Sequence, residues 1–413
     1  NQNITSDLFS FNVAVGYSAG LSHTTGTENV LIGADAGRAQ QDVDGNVAIG
    51  YASMYYNTNG DNNVAVGRGT LVNMNFVSAT TSYNVAVGYD AGYAVTTGVQ
   101  NTLIGAKAGD ALTDADHNTA IGAFALTKDT LGNRAVAIGR EALYSQNFVS
   151  ATNNYNVAIG YQAGTNITTG IVNTLIGGNA GTLLTDADNN VAIGFEALKT
   201  ATTAIQNTAI GSYALYSATL LAADGNVACG FKTGYAVTTG DNNTFLGNHA
   251  GYWDGAAGVA GITTGTNNTY LGSKSYPSSP TVSHEITLGN ANISSLRCAD
   301  QTISALSDGR DKTDVVDLPY GLDFINKTRP VQFKWDKRTV YEDDQKQGKT
   351  HNGFIAQELL ALGNNEQHRL VLDENPELLE ARYSNLLPMM VKAIQELSAK
   401  NDALEVRLAA LEG

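Results

Sequence analysis

Three short blocks near the C-terminal end hold the residues best suited to chemistry. The first, Ser307-Asp308-Gly309-Arg310-Asp311-Lys312, sets a hydroxyl and an amine five positions apart. A serine hydroxyl is a poor nucleophile until a base takes its proton. Lysine does so only when neutral, which requires burial or a nearby cation, and Arg310 is a candidate for the latter. Alone, the hexapeptide reads more simply as a helix N-cap, Ser307 followed by acidic residues. The second block is Gly353-Phe354-Ile355-Ala356-Gln357-Glu358-Leu359, with His351 just before it. The third is an apolar series stepping by four and three: Tyr383, Leu387, Met390, Ile394, Leu397, Asn401, Leu404, Leu408, Leu411. It predicts a terminal helix with a heptad seam broken only by the polar Asn401. A lone helix of this kind is marginal in water, so the seam predicts a parallel oligomer. Leucine and isoleucine at most positions admit a trimer, with Asn401 fixing register. The plainer alternative is an amphipathic helix docked on its own domain.

Whatever positions these blocks differs in kind from what precedes them. Residues 1–306 carry 30 charges, whereas the 107 residues from Ser307 onward carry 33. Of the 44 glycines, 38 precede Ser307, and no proline occurs before Pro277. The long segment is a repeat array. Its core, as in Asn12-Val13-Ala14-Val15-Gly16 and Asn46-Val47-Ala48-Ile49-Gly50, ends in a glycine that recurs fifteen times from Gly16 to Gly272, with a degenerate copy at Gly289. Most steps are 17 residues; two 21-residue steps carry the insertions Asn75–Thr80 and Asn147–Thr152. The stretch Gly88–Leu126 recurs 72 residues later at Gly160–Leu198, a duplicated block of four units. Each unit is too short to fold alone and must stack on its neighbours. The alternating β-branched core predicts one short strand and a turn per unit. A small residue follows three places after each regular glycine, as at Ala19, Ala36, Ser53 and Thr70, which predicts close approach of backbone or of another chain. Apolar residues on both strand faces, Val15 and Ile49 against Ala14 and Leu31, predict packing against sister subunits.

The repeats resemble the head domain of trimeric bacterial adhesins, a left-handed parallel β-roll of Asn-x-Ala-Ile-Gly coils. The resemblance covers residues 10–290 and implies a rod on the order of 75 Å long. The adhesins' membrane-anchoring β-barrel has no counterpart in this sequence. The three terminal blocks together, over residues 304–397, resemble the C-terminal intramolecular chaperone of phage tail spikes and tail fibres, a self-cleaving domain also found in a eukaryotic membrane-bound transcription factor. That family trimerises, helps the preceding β-rich fibre fold and cuts itself off through a Ser–Lys dyad. The resemblance implies Ser307 as nucleophile, Lys312 as general base and a cut between Leu306 and Ser307. Asp308, Arg310, His351, Gln357 and Glu358 become supporting residues, with His351 and Glu358 as candidates for orienting the site.

The fold expected is a homotrimeric β-roll over residues 1–290 and a connector over 291–306. An α+β chaperone over 307–382 and a coiled-coil helix over 383–413 follow. A formal charge of 24 − 39 = −15 argues against nucleic acid or an anionic membrane as partner. No stretch is long and apolar enough for a spanning helix. The chain opens at Asn1, so a missing targeting signal carries no information. Cys229 and Cys298 cannot make a disulfide scaffold, and Cys229, in a slot used elsewhere by Val or Ile, reads as a small core residue. Asp42-Val43-Asp44-Gly45, Asp114-Ala115-Asp116 and Asp186-Ala187-Asp188 invite a calcium reading. Two carboxylates per turn fall short of calcium's six to eight oxygens, so turn residues bonding to their own backbone are expected instead. Tyrosines such as Tyr17 and Tyr89 pack between coils or stack on sugars. The reading is a phage tail fibre or spike, assembled in the host cytoplasm and carried on the virion. It needs no cofactor and no metal. Its partners are its own copies, a host cell-surface glycan or protein receptor, and other tail proteins on the N-terminal side. A permanently trimeric cell-surface adhesin and a glycan-degrading spike are the alternatives.

Overall fold

The computed structural model describes residues 10–218, 223–252, 261–290, 293, 295–297, 307–334, 350–373 and 379–412. It divides into two compact units, one ending at Gly289 and the other running on from Asn290.

The first unit is a parallel β-solenoid. Each repeat core forms a three-residue strand, from Val13–Val15 to Ile286–Leu288, and sixteen such strands make one sheet in chain order. Strands pair in register with the equivalent residues one coil on, as Thr102, Leu103 and Ile104 do with Thr119, Ala120 and Ile121. The central residue of each strand turns inward and is buried from Leu31 to Tyr270. The residues on either side turn outward, leaving an apolar column that includes Ile32, Ile104, Ile210 and Leu246 more than a third exposed. Cys229 stands in this outward column and is half-buried, so it is not the core residue expected from its slot.

The asparagine opening each core does more than shape a turn. Asn101 takes the backbone N–H of Asn118 on its Oδ1 at 2.9 Å, and its own Nδ2 donates to the carbonyl of Ala115 at 2.7 Å. Repeated coil after coil, this gives a buried ladder that satisfies backbone groups the short strands leave unpaired. Ala135 breaks the ladder; Asn154 then supplies the oxygen for the Asn156 N–H, at 2.9 Å. Glu285 ends it, taking the asparagine slot and accepting from the hydroxyl of Tyr270. The repeat glycine is required by contact: at Gly105, φ is +137° and an added Cβ would lie 2.5 Å from the carbonyl oxygen of Gly122. From Ala36 on, the small residues three places later are buried inside the coil, so the close approach they mark lies within one chain.

The second aspartate of each pair, expected to bond to its own backbone, bonds instead to the neighbouring coil. Asp44, Asp116 and Asp188 accept the N–H groups of Thr27, Val99 and Ile171. Among the described residues no three His, Cys, Asp or Glu side chains come together. Both insertions tuck a phenylalanine, Phe76 or Phe148, under the coil and leave the next residue, Val77 or Val149, almost fully exposed. Each ends in a two-residue parallel pairing, Gly60–Asp61 with Thr80–Thr81 and Gly132–Asn133 with Thr152–Asn153.

The interior has a period of four coils. Four places after the repeat glycine the backbone is left-handed in coil after coil, and the residue alternates in pairs: Gly92 and Gly109, then Leu126 and Leu143, then Gly164 and Gly181. One strand centre in each period is large (Leu31, Leu103, Leu175 or Phe245) and it sits over the glycine pair. Leu103 reaches both Gly92 and Gly109, where an added Cβ would meet its methyls at 2.7 and 2.8 Å. Ala120 and Ala137 stand in the coils that carry Leu126 and Leu143. A leucine in left-handed backbone costs about 1–2 kcal/mol, and full burial of its side chain returns about 1.5–3 kcal/mol.

The second unit is small and mixed. Strands Val331–Lys334 and Thr350–Gly353 form an antiparallel pair. Short helices Leu322–Ile325, Ala356–Leu360 and Asn365–His368 surround a cluster of Leu359, Leu370, Val371, Leu386 and Met389, and the helix Leu386–Glu412 closes the chain.

Leu103→Ala should cost the solenoid about 2–4 kcal/mol in urea unfolding. Adding Gly109→Leu should recover more than about 1 kcal/mol of it, a coupling that independent sites would not give.

Candidate functional site

Asp308 folds the hexapeptide. Its carboxylate accepts the Arg310 N–H at 2.9 Å and caps a single 3₁₀ turn, Gly309–Asp311. The same carboxylate pairs with the Arg310 guanidinium at 2.6 Å. That hydrogen-bonded ion pair holds the Asp308 carboxyl below the usual carboxylate range. The turn brings Lys312 back on Ser307, with Nζ 2.5 Å from Oγ and 3.3 Å from the Ser307 carbonyl oxygen. The cap of the turn is therefore Asp308, leaving the Ser307 hydroxyl to Lys312, and Arg310 faces Asp308 and not the amine. An amine at hydrogen-bond distance from a hydroxyl is the base-to-nucleophile arrangement. Ser307 through Asp317 are exposed along their whole length. Leu306, on the other side of the expected cut, and Cys298 lie outside the described residues.

The expected supporting residues serve other contacts. His351 sits opposite Phe333 in the antiparallel pair, with ring centroids 6.0 Å apart. Its buried Nε2 has no hydrogen-bond partner among the described residues. Glu358 forms a two-pronged ion pair with Arg329, which lowers its carboxyl pKa. Gln357 is exposed on the same short helix. No hydrogen bond or ion pair joins these three to Ser307 or Lys312 among the described residues.

The second and third blocks instead build each other. The Tyr383 hydroxyl accepts the Phe354 N–H at 3.3 Å, and the two rings meet edge to face at 5.6 Å. A Cβ on Gly353 would lie 2.6 Å from that hydroxyl, which explains the glycine. Tyr383 thus belongs to a 3₁₀ turn before the helix, not to the seam. The helix has two apolar faces. Leu386, Met389 and Ala393 are buried in the unit's own core. Leu387, Met390, Ile394, Leu397, Leu404, Leu408 and Leu411 are 47–83 % exposed, and Asn401 donates to Glu405 on the same helix. Docking on its own domain and an open seam therefore coexist. Glu396 ties the two together: its carboxylate accepts the Leu322 N–H at 2.8 Å and caps a helix whose own N-cap, Gly321, has no side chain. Arg329 did not stand out in the sequence, because its partner Glu358 lies far away in the chain.

Residues 307–367 match the family described as the chaperone of endosialidase, a peptidase family. The match takes in Ser307, Lys312, His351, Gln357 and Glu358 and stops short of the terminal helix. No curated protein matches the chain. The chain thus couples a parallel β-solenoid to a C-terminal region similar to an intramolecular chaperone. No helix among the described residues is long and apolar enough to cross a membrane.

Glu396→Ala should speed hydrogen exchange of the segment holding the Leu322 amide roughly fivefold, the loss of one cap. Unchanged exchange would show that Glu396 does not cap this helix.

Proposed function

We propose that the chain is the distal part of a phage tail fibre or tail spike. It trimerises through its terminal helix and removes its own chaperone between Leu306 and Ser307. The observation that carries this reading is the Lys312 amine 2.5 Å from the Ser307 hydroxyl, within a segment that matches an endosialidase chaperone. Lys312 takes the hydroxyl proton as Ser307 Oγ attacks the Leu306 carbonyl carbon. The C–O bond forms, the C–N bond breaks, and the proton passes to the freed Ser307 nitrogen. Water then hydrolyses the ester, releasing the Leu306 carboxylate and restoring the hydroxyl. Ser307 and Lys312 stand open to solvent in one chain, so in this reading neighbouring chains desolvate the pair. The open heptad seam and the outward apolar column of the solenoid support self-association. The rod is then the working product, borne on the virion to meet a host-surface glycan or protein, while other tail proteins hold its N-terminal side.

Intact mass of the purified chain tests this. Wild type should yield pieces of 306 and 107 residues, and Ser307→Ala and Lys312→Ala should stay at 413, slowed by at least about a hundredfold. Cutting that persists in both variants, or a wild type that stays whole under every condition, would overturn the proposal.

A further inference from the structure

The exposed segment that begins with the serine and lysine ends in an unusual way. Asp314-Val315-Val316-Asp317 sets two adjacent valines, 79 % and 83 % exposed, between two acids. The next residue, Leu318, and Tyr320 pack onto the unit's own core, together with Phe354 and Leu362. The chain thus leaves its own surface just before Leu318, and it carries its most apolar residues into solvent.

The same unit holds an open pocket of about 310 Å³ with apolar walls from Phe354, Ile355, Leu359 and Leu362 and with Lys327 and Arg329 on its rim. Arg329 is paired with Glu358, but Lys327 is exposed and has no ion-pair partner among the described residues. An apolar slot with a free cation at its edge complements two valines flanked by carboxylates. One chain satisfies neither half, although both lie in one compact unit.

We infer that residues 314–317 of one chain dock into this pocket on a second copy. Val315 and Val316 fill the slot and Asp317 meets Lys327. The inference rests on the proposed self-assembly and cutting, and it adds a consequence. The docked arm lays its own Ser307 and Lys312 against the neighbouring chain, the desolvation that an isolated arm lacks. Cutting then waits for assembly.

The test uses the full chain with Ser307→Ala, Cys229→Ser and Cys298→Ser, carrying Val316→Cys and Leu362→Cys. Mild oxidation should give species of two and three chain masses on a non-reducing denaturing gel. A link confined within one chain, or no link, overturns the inference. Charge reversal gives a second arm, read as the rate of cutting with Ser307 intact. Lys327→Glu and Asp317→Lys should each slow cutting at least tenfold, and the two together should return it to within about threefold of wild type. A double variant as slow as the singles, or singles as fast as wild type, counts against docking. If chains link but wild type never cuts, the docking stands and the cutting falls. If wild type cuts and no link forms between chains, the reverse holds.

Discussion

Every coil of the solenoid is completed by the next one. The strands are three residues long, and the groups they leave over are met by the asparagine ladder, with the Asn101 carboxamide serving Asn118 and Ala115 one coil on. The glycine contacts set how near the coils come: a Cβ on Gly105 would strike the Gly122 carbonyl. A coil without a neighbour therefore exposes both an apolar interior and unpaired polar groups. Stability depends on stacking in register, and so does everything built on the stack.

Within one chain the register has its own safeguards. Connectivity places coil after coil, and the four-coil exchange of leucine and glycine makes a slip mismatch, since Leu103 needs Gly92 and Gly109 beside it. Between chains no such safeguard is evident. The outward column repeats nearly the same residue, Ile104, Ile121, Ile138, Ile159, so a neighbour shifted by one coil meets almost the same surface. Non-local β structure also forms slowly. A terminal helix with an open seam, fixed to a compact unit through Leu386, Met389 and Glu396, is suited to set that register first. Cutting afterwards would remove the return path and leave the assembled rod kinetically locked.

Much of this was legible in the residues. The repeat glycines and the Asn-Val-Ala-Val-Gly cores announced one strand per coil, because a 17-residue period leaves few other ways to bury alternate residues. The seam from Leu387 to Leu411 was equally plain in its spacing. Ser307 and Lys312 were marked by the surrounding motif, and one 3₁₀ turn joins them. What escaped was relational. The repeat asparagines serve the neighbouring coil, and so do Asp44, Asp116 and Asp188, which a reading based on turns assigned to their own. Cys229 looked like core because an apolar slot does not say which face it occupies. Arg310 and Glu358 were read as supporting Ser307 and Lys312, and their ion pairs with Asp308 and Arg329 were not visible in the spacing. The four-coil rhythm was visible as a duplication, but its cause needed the contact between Leu103 and its two glycines.

The central claim is that the terminal region is needed to set register and is dispensable once register is set. Recovery after full unfolding tests it. The self-cut rod, kept with its released piece, and the uncut Ser307→Ala chain are each unfolded in denaturant, diluted, and scored for detergent-resistant oligomer. The account predicts recovery of the uncut chain and little or none of the cut rod. Equal recovery of both would mean that the rod finds its register unaided.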